Sequence, residues 1–323
     1  MTDSARHARI LVIGHTCLDS ISLVSDAAPE DGKLEADRIW VGPGGPATNA
    51  AVALSRLGHD VRLAVMCGDD PAGEVVRSTL EAEGIRMVCP PEVGGVTSLA
   101  QIRATGDARS VVWKRGKLSA IPTDPDRLGD WLQGVDLLYV DGHEVAASST
   151  ALRMAAETGV ATVADLGSLR PGAEDWPAML GSAVATPRWL GARYPEASTV
   201  EKALDRLVGD AREDALVGVT LGANGGLARR GVDRLTWQAR KTGAVDTTVA
   251  GDAFHAGLAD AMLQGMETRV ALDWAATLAA AVCRAPGHAA LPANRAQLKL
   301  WHGRWGHRPE AGTGIYETRP AEL

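Results

Sequence analysis

Apolar residues along this chain gather in short unbroken runs, each closed by or next to a glycine, aspartate or cysteine. Ile10–Gly14 ("ILVIG") is the first; Val61–Cys67, Asp136–Asp141, Ala161–Asp165 and Leu216–Gly222 read alike. Runs of this length without polar alternation are strands buried on both faces. Between them the apolar positions change to a helical period. Thr48–Leu57, Gly73–Glu83 and Ala151–Thr158 each present one apolar face and stop at Gly58, Gly84 and Gly159. Glycine just past a helix ends it cheaply, because it enters the left-handed region without a Cβ penalty. Strands alternating with helices predict an α/β fold: a three-layer sandwich around a mostly parallel sheet.

Two stretches break the rhythm. Residues 16–41 and 97–118 carry shorter, more polar strand patterns, such as "TSLAQIR" and "SVVWK". They predict a small accessory β-sheet inserted into one α/β domain covering 1–300. Laid over strand ends, such a sheet is a lid that keeps water out. Glycine, proline and charge dominate 301–323, which reads as a loosely held C-terminal tail with Trp301 and Trp305 available to dock it.

The chain has 323 residues and is 46% hydrophobic, enough for one large core. A net charge of -7 argues against nucleic acid or an anionic membrane as partner, and leaves room for a local basic pocket. Cys17, Cys67, Cys89 and Cys283 lie in or near apolar runs without CxxC spacing, as buried free thiols do. The N-terminal apolar segment is too short for a signal peptide, and no run of roughly eighteen apolar residues occurs. These features point to the cytoplasm. No histidine or cysteine cluster has metal-ligand spacing, so no protein metal site is expected.

Four windows carry candidate chemistry. In "DTTVAGDAFHAG", Asp246–Gly257, a helix is expected over Ala253–Leu263, capped by Gly265. "VAGD" then lies at its start, where unpaired N–H groups and the helix dipole favour an anion. An aspartate there repels an anion, but it fits a base that takes a proton from an attacking hydroxyl. The plainer alternative makes Asp252 a helix-cap carboxylate. In "GPGGPATNAAVALSRLG", Gly44 and Gly45 precede a helix whose start holds Asn49. Glycines let a polar ligand reach the backbone, and asparagine both donates and accepts, which suits a polyhydroxyl ligand; a tight turn is the alternative. "VTLGANGG", Val219–Gly226, ends a strand in a glycine-rich turn that could lie beside a flat base. Asp19 follows the first strand in "GHTCLD"; a lone aspartate there is usually solvated. The same segment lacks the GxGxxG of a nicotinamide-dependent oxidoreductase.

Together the windows resemble the ribokinase-like PfkB family of carbohydrate kinases, in matching order over nearly the whole chain. The family's Asp-Thr-Thr-Gly-Ala-Gly-Asp signature is similar to "DTTVAGD"; its paired glycines and later asparagine match Gly44, Gly45 and Asn49. "GDDPAG", Gly68–Gly73, and the turn Thr220, Gly222, Gly225 match two further segments. The resemblance implies ATP-dependent phosphorylation of a small sugar on a ribokinase-like fold. It makes Asp252 the general base and the backbone of Val249, Ala250, Gly251 and Asp252 the anion hole. It assigns Asp19, Gly44, Gly45 and Asn49 to the sugar, and Thr220, Gly222 and Gly225 to the nucleotide. Mg2+ would travel with ATP, held largely through water. "CRAPGHAALP", Cys283–Pro292, resembles the family's late loop near the adenine and a monovalent-cation (K+) site, less sharply. Pairing of lid strands between subunits, as a homodimer, is also implied.

The sequence departs from the family twice. Val249 replaces a small residue, with strain expected if its φ is positive and crowding of the phosphate if it is extended; the extended form is the expectation. The Asn-x-x-Glu motif tied to Mg2+ and phosphate is missing from "VATPRWLGA", Val184–Ala192, where Thr186 is the substitute polar contact. Both departures motivate a second reading, a catalytically weakened sugar- or nucleotide-binding regulator. "VDGHE", Val140–Glu144, resembles the ketohexokinase-like and sulfofructose-kinase-like branch. Lys33 could meet an anionic group on the acceptor or be a solvated lid lysine. Arg103, Arg109, Arg115 and Lys117 give the second lid segment a basic cast. A phosphorylated or sulfonated sugar and an unmodified ketose both remain open as acceptors.

Overall fold

The computed structural model describes residues 6–25, 31–105 and 108–305. Parts of both lid segments (26–30 and 106–107), and 306–323 of the expected tail, lie outside the described residues. The chain opens with β1 (Arg9–Ile13), then β2 (Cys17–Leu23) and β3 (Arg38–Gly44). Next come α1 (Pro46–Arg56), β4 (Asp60–Ala64), α2 (Pro71–Ala82) and β5 (Arg86–Met87). After β6 (Leu99–Thr105) and β7 (Ala108–Lys114) the chain returns through α3 (Pro125–Leu132), β8 (Leu137–Val140), α4 (Val145–Thr158) and β9 (Ala161–Leu166). It continues with β10 (Ser182–Ala185), α5 (Pro187–Arg193), α6 (Val200–Asp210) and β11 (Leu216–Thr220). The last elements are β12 (Gly226–Arg230), β13 (Asp233–Trp237), α7 (Ala250–Leu263), α8 (Thr268–Val282) and α9 (Arg295–Trp305).

Among the described residues the main sheet has nine strands, ordered β13-β12-β11-β10-β9-β8-β1-β4-β5. Every pair from β11 to β5 is parallel; β12 and β13 add an antiparallel edge. Strand β1 shows why the runs lack alternation. Ile10 and Val12 enter the core under α1, α7 and α8, while Leu11 and Ile13 enter the core under α3 to α6. Both faces are covered, so every position from Ile10 to Ile13 is apolar. Gly58, Gly84, Gly159 and Gly265 all carry positive φ just beyond their helices, as the stop signals require. The strand expected over Leu216–Gly222 ends at Thr220, because Gly222 starts a 3-10 turn with positive φ.

The two polar segments form a separate four-stranded sheet, ordered β3-β2-β6-β7. β2 pairs antiparallel with β3 and parallel with β6, and β7 closes the edge with every residue exposed. Residues 301–305, read from sequence as tail, are the end of α9. Trp301 packs on the main core, with the Arg284 guanidinium 4.8 Å from its ring centre. All four cysteines are free and buried. Among the described residues no helix is long and apolar enough to cross a membrane.

One buried polar cluster ties the C-terminal helices to the start of the chain. Asp260 on α7 accepts from His59 Nε2 at 2.8 Å, Trp274 Nε1 at 2.8 Å and Arg295 Nη1 at 2.7 Å. Arg295 also donates to Leu57 O at 2.8 Å, and Ala8 N–H donates to His59 Nδ1 at 3.3 Å. Groups from α7, the middle of α8, the start of α9 and the turn between α1 and β4 therefore meet on one carboxylate. Removing one member of a buried ion pair leaves its partner charged and dry. Asp260→Ala is expected to lower the unfolding free energy by about 3–5 kcal/mol in a urea titration, with Asp260→Asn intermediate.

Candidate active site

Parallel sheets bind ligands beyond the carboxyl ends of their strands. Here those ends carry Gly14 and His15 after β1, Asp141 after β8, Asp165 at β9, Thr186 after β10 and Thr220 at β11. The accessory sheet reaches this edge twice. Arg115 Nη2 lies 3.2 Å from Glu144 Oε1, and Arg109 Nη1 donates to Thr247 Oγ1 at 3.1 Å.

Asp252 sits on the first turn of α7, half-buried, and its Oδ2 accepts from Asn49 Nδ2 at 2.7 Å. Asn49 is buried on the first turn of α1. Two helix starts thus face each other. At α7, Ala250 N–H donates to Thr247 O and Ala253 N–H to Val249 O. The N–H groups of Val249, Gly251 and Asp252 have no recorded partner among the described residues, so three of the four expected anion-hole donors are available and that of Ala250 is not. A Cβ built on Gly251 would meet nothing within 4 Å, so space lies over the turn.

Val249 adopts neither backbone expected for it. Its φ of -94° and ψ of 1° place it in the sparsely allowed bridge region, and its side chain is 2% exposed within the core of α7 and α8. The expected crowding of the phosphate therefore does not arise, because the branched carbons point inward. Thr186 caps α5: its hydroxyl accepts from Trp189 N–H at 3.1 Å and donates to Gly167 O at 2.8 Å. Trp189, three residues on, is buried in the core. The position of the missing glutamate is thus a packing residue.

Gly44 and Gly45 are glycines for steric reasons. A Cβ on Gly44 would lie 1.9 Å from Asp19 Oδ2, and one on Gly45 would lie 2.6 Å from His15 O. Gly45 also has a φ of 91°. Asp19, on β2, is 4% exposed and accepts from the Cys17 thiol at 2.9 Å. Burial pushes its carboxyl up to about 6, opposed by the Cys17 hydrogen bond. Lys33 is exposed between β2 and β3, with no ion pair to the site carboxylates. Thr220 ends β11, and Gly222 and Gly225 form the 3-10 turn that follows, both with positive φ. A Cβ on Gly225 would strike Trp237 O at 2.0 Å.

The structure adds two carboxylates, Asp141 and Asp165, that the sequence reading did not assign to the site. Asp141 accepts from His15 N–H at 2.7 Å, Ala47 N–H at 3.0 Å and His143 N–H at 2.9 Å. It clamps the β1 exit, the start of α1 and the β8 exit together. Asp165 lies nearer the sheet centre. Burial pushes the Asp252 carboxyl well up; Asp165 pushes it further, Asn49 opposes, and Asp141 and Asp19 add to the rise. The signal in sequence was present: both aspartates terminate apolar strands. His15 and His143 stack at 4.9 Å, and Arg170 Nη2 approaches His143 at 3.1 Å. Burial pushes both rings down to about 4, so they act as neutral hydrogen-bonding groups.

Residues 7–294 match the family described as pfkB family carbohydrate kinase. An ATP-dependent ribose-1-phosphate kinase of Halopiger xanaduensis is 28% identical over 275 residues, 83% of this chain and 89% of that protein. The ribokinase of Bacillus subtilis is 27% identical over 278 residues, 82% of this chain and 89% of its own. The structure of Arabidopsis thaliana ribokinase complexed with ribose and ATP superposes with a TM-score of 0.77 at 18% identity, covering 92% of this chain and 99% of that one. None of these three is named for a ketohexokinase or sulfofructose kinase, so the assignment is to the family and not to that branch. A match over that length fixes the family: this chain belongs to the pfkB carbohydrate kinases, enzymes with ATP as co-substrate.

Proposed function

We propose that the protein transfers the γ-phosphate of ATP to a hydroxyl of a small sugar, with Asp252 as general base. The observation that carries this reading is the meeting of Asp252 with unpaired N–H groups of the same helix turn, opposite Asn49. The acceptor lies among Asp19, Gly44, Gly45 and Asn49, under the accessory sheet. Its hydroxyl gives a proton to Asp252 as the oxygen attacks phosphorus, and the N–H groups of Val249, Gly251 and Asp252 stabilise charge on the transferring group. Arg109 holds the loop that carries those donors. The turn Thr220, Gly222 and Gly225 lines the nucleotide.

Mg2+ bound with ATP would neutralise phosphate charge. Among the described residues no cluster of three or more His, Cys, Asp or Glu side chains is placed to hold a metal. Asp246, beside the Cys283–Pro292 loop, accepts from Thr248 N–H, the Thr248 hydroxyl and Gly287 N–H. Its oxygens are taken, so no step is assigned to K+.

The acceptor class is a ketose, a pentose or a phosphorylated derivative; the relatives named for ribose and ribose-1-phosphate favour the last two. Lys33, exposed between β2 and β3, is the candidate contact for an anionic end of the acceptor. A homodimer through the lid is supported by the exposed edge strand β7 and by Ile39, Val41, Leu99 and Val112, all exposed on one face of that sheet. The weakened-regulator reading loses one of its two motives, since Val249 does not obstruct the turn.

Asp252→Asn is expected to lower kcat by about 10²–10⁴-fold while calorimetric sugar binding and the melting curve stay near wild type. Full activity in that variant sinks the assignment of the base. Asp19 gives a pH test. A carboxyl raised to about 6 is protonated below that value and then accepts sugar hydroxyls poorly. The kcat/KM for the sugar should fall on the acid side of about 6, since this ratio reports groups of the free enzyme. In Asp19→Asn the acid limb should lose one proton's worth of slope; an unchanged profile removes Asp19 from the sugar site.

A further inference from the structure

His255 follows Asp252 by one helical turn and is 1% exposed. Its Nδ1 lies 2.8 Å from Gly251 O, in the turn that carries the anion-hole donors. Its Nε2 lies 3.1 Å from Val184 O, on β10. Both carbonyl oxygens accept and neither can donate. A neutral ring therefore satisfies one contact and sets a lone pair against the other. Turning the ring over would bring carbon against both oxygens and leave two buried nitrogens without partners. Both contacts are hydrogen bonds only when both nitrogens carry protons.

A charge so deeply buried requires a counter-charge. Asp165 Oδ2, on β9, lies 3.6 Å from His255 Nδ1 and is itself 7% exposed. The titratable groups that interact with Asp165 are Asp252 on the same helix as His255, Tyr139 on β8 and His143 just beyond β8; Asp141, also beyond β8, acts on Asp252 and Tyr139. The Tyr139 hydroxyl is buried without a partner among the described residues, within the field of Asp165, Asp252 and Asp141. Asp165 is the carboxylate that most disfavours ionised Asp252. A base must be ionised to take a proton, so this repulsion opposes the chemistry.

We propose that His255 is a positioning residue for phosphoryl transfer: a doubly protonated ring, paired with Asp165, that ties the first turn of α7 to β10 and screens Asp252 from Asp165. The proposal rests on Asp252 being the base. The ring acts twice. Mechanically, it fixes Gly251 O, and with it the direction of the Gly251 and Asp252 N–H groups. Electrostatically, it converts a row of like charges into an alternating one, Asp252 minus, His255 plus, Asp165 minus.

Histidine-selective 15N labelling of the full chain reads the ring directly, with His255 assigned by the signal lost in His255→Asn. Both ring nitrogens are expected in the protonated range at neutral pH; one bare nitrogen overturns the proposal. Asp165→Asn keeps the shape and removes the counter-charge. It is expected to return the ring to one proton and lower kcat by about 10²-fold, with the sugar KM changed by less than about threefold. An unchanged kcat, or a ring still doubly protonated, overturns the pairing. The 15N readout does not depend on turnover. Full activity in Asp252→Asn would therefore remove the base, and with it the screening role, while the ring's protonation stands or falls separately.

Discussion

The hydrogen bond from Asn49 to Asp252 joins residues 203 positions apart, and the site exists only because they meet. Such a bond contributes about 0.5–1.5 kcal/mol net, too little to hold two helices together. Packing does that. α1 is lined with buried alanines at 47, 50, 51 and 53, and Gly257 on α7 lets α8 approach until a Cβ there would lie 2.9 Å from Ala275 Cα. Small residues bring the helices close; the close approach then places the two polar side chains on their first turns in contact.

That geometry concentrates carboxylates. Asp19, Asp141, Asp165 and Asp252 crowd one edge of the sheet, and burial makes Asp19, Asp141 and Asp252 costly to ionise. The protein gives each a different partner. Asp141 accepts three backbone N–H groups and becomes a structural clamp. Asp19 accepts a thiol proton, Asp252 an amide proton, and Asp165 faces a histidine. The four carboxylates thus sit in different environments, and Asp252 is the most open of them.

Departures from the family pattern are absorbed by packing. Val249 looked like an obstacle because a motif records which residue stands at a position and not where its side chain points. One backbone rotation directs it into the core. Thr186 and Trp189 show the reverse: a position that carries polar function in the family pattern here caps a helix and fills a cavity. Neither outcome follows from residue type, since valine tolerates several backbone regions and a threonine hydroxyl serves a ligand or a cap equally well.

Periodicity alone fixed the α/β class, the order of the parallel strands' segments and the helix stops, because strand burial and left-handed glycines depend on near neighbours in the chain. The break in that rhythm marked the two lid segments, and the motif "DTTVAGD", through its resemblance to a known family, made Asp252 the candidate base. The roles of Asp141, Asp165 and His255 were decided only by the tertiary structure. Each acts through a partner from a distant segment: Ala47 for Asp141, His255 for Asp165, Val184 for His255. Local pattern determines what a segment can become; which groups then share one buried volume, and so must share protons and charge, is set by the folding of the whole chain.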